Sequence, residues 1–189
     1  MSRVCLFAVL CASAAALQEA PLRLAPAVTR RRGAAGLVVG AAFTLLPSAR
    51  ALEPKLKLGN AALAEMVTAD LVERQFLATA DFTRALYDES ATFTDEVDSY
   101  SLEKFISGTK KLFVADRSKV NLTSPVVVTD ESATFRFEET LAFNLPLVKP
   151  IVSLSGKVVL TRDATTGLFV AYREYWDQTP FEVVKTAHL

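Results

Sequence analysis

From residue 60 onward, apolar side chains recur at helical spacing. Leu63, Met66, Val67, Leu71 and Phe76 are separated by three, four and five positions, which predicts an amphipathic helix with one buried stripe and Asn60 as its N-cap. Thr79 is placed to cap a second short helix containing Phe82, Leu86 and Tyr87. Residues 91–95, with Phe93 among them, read as a short strand or extended turn. Ser101 then opens Ser-Leu-Glu-Lys and predicts the cap of a third helix, whose apolar face is Leu102, Phe105, Ile106, Leu112 and Phe113. Ser107 and Gly108 weaken its middle.

After Asp116 the period changes to two. Val120 and Leu122, then Val126, Val127 and Val128, predict a strand interrupted by Pro125, which implies an edge or a bulge. Residues 133–144 alternate Phe135, Phe137, Leu141 and Phe143 against Thr134, Arg136, Glu138 and Thr140. Pro146 and Pro150 bracket a loop, residues 151–161 form a strand and 161–167 a hairpin connection. Residues 169–177 are the last strand, which Pro180 ends, leaving a short tail. Helices followed by a long run of strands predict an α+β fold: three N-terminal helices packed on a strongly curved antiparallel sheet.

The first 51 residues follow another pattern. Residues 1–16 carry Arg3, an apolar run from Val4 to Leu10, and the small residues Ala14, Ala15 and Ala16, the layout of a cleavable secretory signal. A second unit follows: Arg30, Arg31 and Arg32, an apolar run over 33–46, and Ala49-Arg50-Ala51, another A-x-A site. Neither run is long enough for a bilayer, which needs about 20 apolar residues. The tandem resembles the bipartite presequence of algae whose plastid arose by secondary endosymbiosis. The Arg-led second unit resembles a twin-arginine signal for the thylakoid lumen. The resemblance implies a signal peptide over 1–16, a transit peptide and lumen-type signal over 17–51, and a mature domain over 52–189 in a plastid. Plain secretion is the alternative.

Removing the leader changes the charge. The chain has 21 basic and 21 acidic residues, but six basic residues and one acid precede Leu52, so residues 52–189 carry 15 basic and 20 acidic groups, a net charge of −5. An acidic domain without a basic stripe is a poor nucleic-acid binder. Both cysteines, Cys5 and Cys11, fall in the leader, and the only histidine is His188 near the C-terminus. Thiol chemistry, Ser-His-Asp triads and Cys/His metal sites are thereby excluded for the mature domain, and no cofactor is expected. Its 138 residues suffice for one domain with a real core and no integral membrane span.

The segment Leu86-Tyr87-Asp88-Glu89-Ser90-Ala91-Thr92-Phe93, the long β-meander and the closing Tyr172-Arg173-Glu174-Tyr175-Trp176-Asp177 resemble the nuclear-transport-factor-2-like superfamily, in particular its SnoaL-like members. That resemblance implies a cone with a pocket between sheet and helices. It implies no single reaction, since the superfamily hosts isomerases, cyclases, dehydratases and non-catalytic binding domains.

Polar residues intruding on apolar strand faces mark the candidate chemistry. Glu139 interrupts Phe135, Phe137, Leu141 and Phe143; Glu174 interrupts Val170, Tyr172 and Trp176. If those faces line a pocket, desolvation raises both carboxyls and equips either as a general acid or base. Tyr87, Phe137, Tyr172 and Trp176 are the candidate ligand-binding residues, suited to stacking on a flat apolar or aromatic molecule. Asp95, Glu96 and Asp98 form an acidic cluster beside Tyr100, read as a solvated loop. Arg136, Glu138 and Arg173 lie on the opposite face, where cross-strand charge pairs or a homodimer interface would use them. Three readings stay open: a non-catalytic small-ligand or partner-binding domain, which leads; an isomerase, cyclase or dehydratase using a pocket carboxylate; and a homodimeric interaction domain.

Overall fold

The stripe read from residue 60 forms helix α1 (Asn60–Val72) in the computed structural model, which describes residues 54–189; the leader segments 1–16 and 17–51 lie outside the described residues. Leu63, Val67 and Leu71 are buried as the spacing requires, joined by Asp70. Gly59 stands at the N-cap in place of Asn60. The Asn60 side chain instead donates to Asp130 (3.0 Å) and accepts from Arg162 (2.7 Å), tying the start of α1 to the strands.

The stripe is cut short, because α1 ends at Val72 and Phe76 opens a separate short helix, α2 (Phe76–Thr79), bounded by Gln75 and Ala80 in the left-handed region at φ 57° and 50°. Thr79 ends α2 and does not cap a helix over Phe82 to Tyr87. Leu86 belongs to a 3-10 turn (Arg84–Leu86), and Tyr87 already opens strand β1 (Tyr87–Thr94). The cause is tertiary. The Gln75 side-chain amide accepts from the Val120 backbone N–H (2.7 Å) and donates to the Val120 carbonyl (3.2 Å), and so pulls the chain off the helical path. Buried Asp70 then fixes the next turn by accepting from the Thr83 backbone N–H (2.9 Å) and hydroxyl (3.0 Å).

Strand β2 (Ser99–Ser101) leads into helix α3 (Leu102–Leu112), where the Ser101 hydroxyl accepts from the Lys104 N–H, the expected cap. Strands β3 (Lys119–Leu122) and β4 (Val127–Val128) are separated around Pro125, and β5 (Ser132–Ala142), β6 (Ile151–Arg162) and β7 (Phe169–Trp176) follow. The strands run in the order β2-β1-β7-β6-β5-β3, with β4 also on β5. The fold is α+β, with helices on one face of a curved, unclosed sheet. Its ladders are antiparallel as expected except one: β1 pairs with β7 in parallel.

Two local features shape the inner face. A bulge at Val170 lets Phe169 take the inner position, so Val170 is half-buried and the inward series is Phe169, Tyr172, Glu174 and Trp176. Gly156 on β6 stands between Phe137 and Trp176 in the ladders. A Cβ there would lie 2.3 Å from the Tyr175 carbonyl oxygen and 3.1 Å from the Phe137 ring, so only glycine permits this close approach.

Pro180 does not end the structure. It is the first residue of helix α4 (Pro180–Lys185), closed by a capping box in which the Glu182 carboxylate accepts from the Thr179 N–H (2.8 Å) and the Thr179 hydroxyl accepts from the Glu182 N–H (3.3 Å). The tail beyond α4 pairs His188 with Ile151 through backbone hydrogen bonds of 2.8 and 3.0 Å. The outer sheet face forms charge pairs with partners other than those expected. Arg136 binds Asp177 (2.6 Å) and Arg173 binds Glu96 (3.1 Å), while Glu138 stands opposite Asn121 and Ser155. Among the described residues no helix is long and apolar enough to cross a membrane.

Candidate ligand-binding cavity

The alternation of β5 sends Phe135, Phe137, Glu139 and Leu141 to the buried face. Glu139 stands between Val120 on β3 and Leu154 on β6, and Glu174 stands opposite Val158. Around Glu139 and Glu174 the sheet and helices enclose a cavity of about 780 Å³. Its floor includes Glu139, Leu141, Leu154, Tyr172, Glu174 and Trp176. Phe105, Thr109 and Leu112 of α3 wall one side, and Val183 and Val184 of α4 another. Exposed Val97, Lys104, Lys111 and Asn144 mark the mouth. Among the described residues no group of three metal-ligating side chains is assembled.

Of the six candidate site residues, Glu139, Glu174, Tyr172 and Trp176 come together in this lining; Tyr87 and Phe137 do not. Tyr87 is packed among the rings of Phe82 (4.9 Å), Phe169 (5.3 Å) and Phe93 (5.7 Å), because β1 starts at the filled end of the sheet. Phe137 occupies the space that Gly156 leaves free. Both are core residues.

The two carboxyls are buried, at 6% exposure for Glu139 and 8% for Glu174, but are treated differently. Glu174 accepts from the Tyr172 hydroxyl on one oxygen and from the Trp176 indole N–H (2.5 Å) on the other. Burial pushes it up to about 7, and the two donors hold it back from rising further. Glu139 has an Oε2 with no hydrogen-bond partner among the described residues. Burial, reinforced by the negative charges of Glu174 and Asp95, pushes it well above the usual carboxylate range. Burial likewise holds the Tyr172 phenol protonated, which keeps it a donor. The floor therefore holds two buried carboxyls that keep their protons more firmly than an ordinary glutamate, an arrangement able to give and take a proton.

Five contributors are not legible as site residues. Asp95, Glu96 and Tyr100 line the cavity instead of forming a detached solvated loop. Asp95 turns its carboxylate back onto the Val97 and Asp98 N–H groups (2.7 and 2.8 Å), and Arg173 donates to the Asp95 carbonyl, which folds the acidic turn against β7. Tyr100, an aromatic beside that cluster, was its only sequence signal. Val183 and Val184 were missed with α4, although Thr179-Pro180-Phe181-Glu182 carries a helix-start signature.

No protein-family profile and no curated protein matches the chain. Solved structures similar in shape include an LEH-like epoxide hydrolase from M. tuberculosis, 15% identical over 67% of this chain and 90% of that one, with a TM-score of 0.48. PrhC from Penicillium brasilianum is 12% identical over 67% and 85%, with a TM-score of 0.48. A nuclear transport factor 2 (NTF2-like) superfamily protein from Salmonella enterica serovar Typhimurium is 13% identical over 64% and 92%, with a TM-score of 0.46.

Proposed function

We propose that this chain is a plastid-directed domain of the NTF2-like type that binds an apolar or aromatic small molecule in the cavity above Glu139 and Glu174. One observation carries the reading: among the described residues, a buried carboxyl oxygen of Glu139 is left unpartnered on the floor of a space of about 780 Å³. A buried polar group serving structure alone is normally paired, and a core serving structure alone is normally filled. A ligand supplies both the partner and the missing volume.

Native mass spectrometry of the protein isolated from its source tests this. The expected result is a bound small molecule released on denaturation, and a mature mass corresponding to an N-terminus near Leu52. A ligand-free native protein would overturn the binding reading. A mass beginning at residue 1 would overturn the two-stage address, for which the tandem Arg-led apolar runs and A-x-A sites are the support. Proton transfer on the bound molecule is a second reading, favoured by one observation: Glu174 is pushed up to about 7 beside Glu139, whose carboxyl burial also raises. In that case Glu174→Gln abolishes turnover of the isolated ligand while leaving its binding within about tenfold.

A further inference from the structure

The two glutamates on the cavity floor have no counter-charge among the described residues. Glu139 approaches from β5, Glu174 from β7, and Asp95 with Glu96 from the turn between β1 and β2. Among the described residues no Lys, Arg or His pairs with Glu139 or Glu174. Arg173 is committed to the Asp95 carbonyl and to Glu96. Lys104 and Lys111 of α3 sit exposed at the mouth. Among the described residues Glu174 has only the neutral donors Tyr172 and Trp176, and Glu139 Oε2 has none.

A carboxylate buried in apolar surroundings without a cation is costly, and a ligand that brings the cation removes the cost. The rest of the lining suits the same partner. Tyr100, Phe105, Phe113, Phe143 and Trp176 present aromatic rings, whose faces attract cations. An anion would meet like charge, whereas an ammonium group supplies the cation that lets the buried carboxyls ionise.

Resting on the small-molecule reading above, we propose that the ligand class is an organic amine: an apolar or aromatic body whose ammonium group meets the Glu174 and Glu139 carboxylates. Binding then releases protons from the carboxyl pair. Affinity strengthens as pH rises through about 7, where Glu174 ionises. The Tyr100 and Tyr172 phenols, which burial raises above their ordinary value, keep their protons over that range.

Calorimetric titration of the full chain with three probes sharing one aromatic body tests the proposal: naphthylethylamine, naphthylethanol and naphthylacetate. The amine is expected to bind about tenfold or more tighter than the alcohol, with the acetate weakest. Its advantage is expected to grow between about pH 6 and pH 8. Glu174→Gln is expected to remove most of that advantage while leaving the alcohol's affinity intact, and Glu139→Gln to do so in part. Equal binding of amine and alcohol would overturn the amine assignment and leave the small-molecule reading standing. So would an advantage that survives both substitutions. Failure of all three probes to bind would overturn both.

Discussion

The inner face of the sheet has a filled end and a hollow end. At the filled end, Phe93 is stacked between Phe105 (centroids 4.3 Å apart, 21° between planes) and Tyr172 (5.0 Å, 15°), with Tyr87 and Phe82 around it. At the hollow end the same alternation leaves about 780 Å³ open over Glu139 and Glu174. Tyr172 joins the two, its ring in the aromatic stack and its hydroxyl on Glu174. Glutamates show the same contrast. Glu89, on β1, receives Arg84 and Lys55 and is drawn down to about 2, chiefly by the Arg84 hydrogen bond. Glu174 receives two neutral donors and burial, and is pushed up to about 7. A charge on Glu89 supports the fold, whereas a charge on Glu174 weakens it. Polar groups that cost stability at a hollow site are expected where binding or chemistry is served.

The sharpest break between the ends is expected from truncation. Phe93→Ala removes the centre of a close-packed stack and is expected to cost about 3–5 kcal/mol in urea unfolding. Leu141→Ala removes a side chain that already borders open space, and is expected to cost less than about 2 kcal/mol. Equal losses would mean that the cavity is packed in solution and that the contrast is not real.

Next in size is the pH dependence of Glu174. Its folded value, about 7, lies above the ordinary 4.5, so between those values the folded state holds the proton more firmly than the unfolded state does. The resulting stability is fully present below about pH 4.5 and is lost as pH rises through 7, a change of about 3 kcal/mol. Glu174→Gln is therefore expected to be neutral near pH 4 and stabilising by up to about 3 kcal/mol at pH 8, read from urea midpoints at both pH values. A destabilised variant at pH 8 would mean that the carboxylate is favourably paired, and the hollow end would lose its distinction.

Glu89→Gln sharpens the comparison from the other side, with a smaller effect of opposite sign. Its depressed value means that its contribution is present above about pH 4.5 and lost as pH falls toward 2. Because these side chains are about one-third exposed, solvent screening limits the expected loss at pH 7 to about 1 kcal/mol or less. The difference from the native chain is expected to vanish near pH 2.

The filled end was largely legible in sequence, because period two and period three-to-four place Phe93, Phe135, Leu63 and Val67 without long-range information. The two inward glutamates were legible for the same reason: each breaks an apolar alternation. What local pattern misses is set by distant contacts. Gln75 cuts Phe76 off from the first helix by binding the backbone of Val120, 45 residues on. Arg173 folds the turn carrying Asp95 into the site from 78 residues away. The bulge at Val170 substitutes Phe169 on the inner face, and no rule of alternation anticipates it. Residue type alone points Tyr87 and Phe137 toward a ligand, yet neighbouring rings and Gly156 absorb them into the core. Trp176 is half-buried at the cavity wall, so its truncation is expected to cost less than the roughly 3–5 kcal/mol of a fully buried ring.

The smallest expected effect reports on the hollow end most directly. Trp176 is the only tryptophan of the chain, and its indole N–H donates to Glu174. Its emission therefore registers whether that carboxyl is charged. The native fluorescence of the full chain is expected to titrate with a midpoint of about 7, against 4.5 for an ordinary glutamate. Glu174→Gln should abolish the transition, and Glu89→Gln should leave it in place, because Glu89 takes its partners, Arg84 and Lys55, elsewhere in the fold. A midpoint near 4.5 would place Glu174 in contact with bulk water. It would then be an ordinary surface carboxylate beside a tryptophan, and the contrast between the two ends would reduce to packing alone.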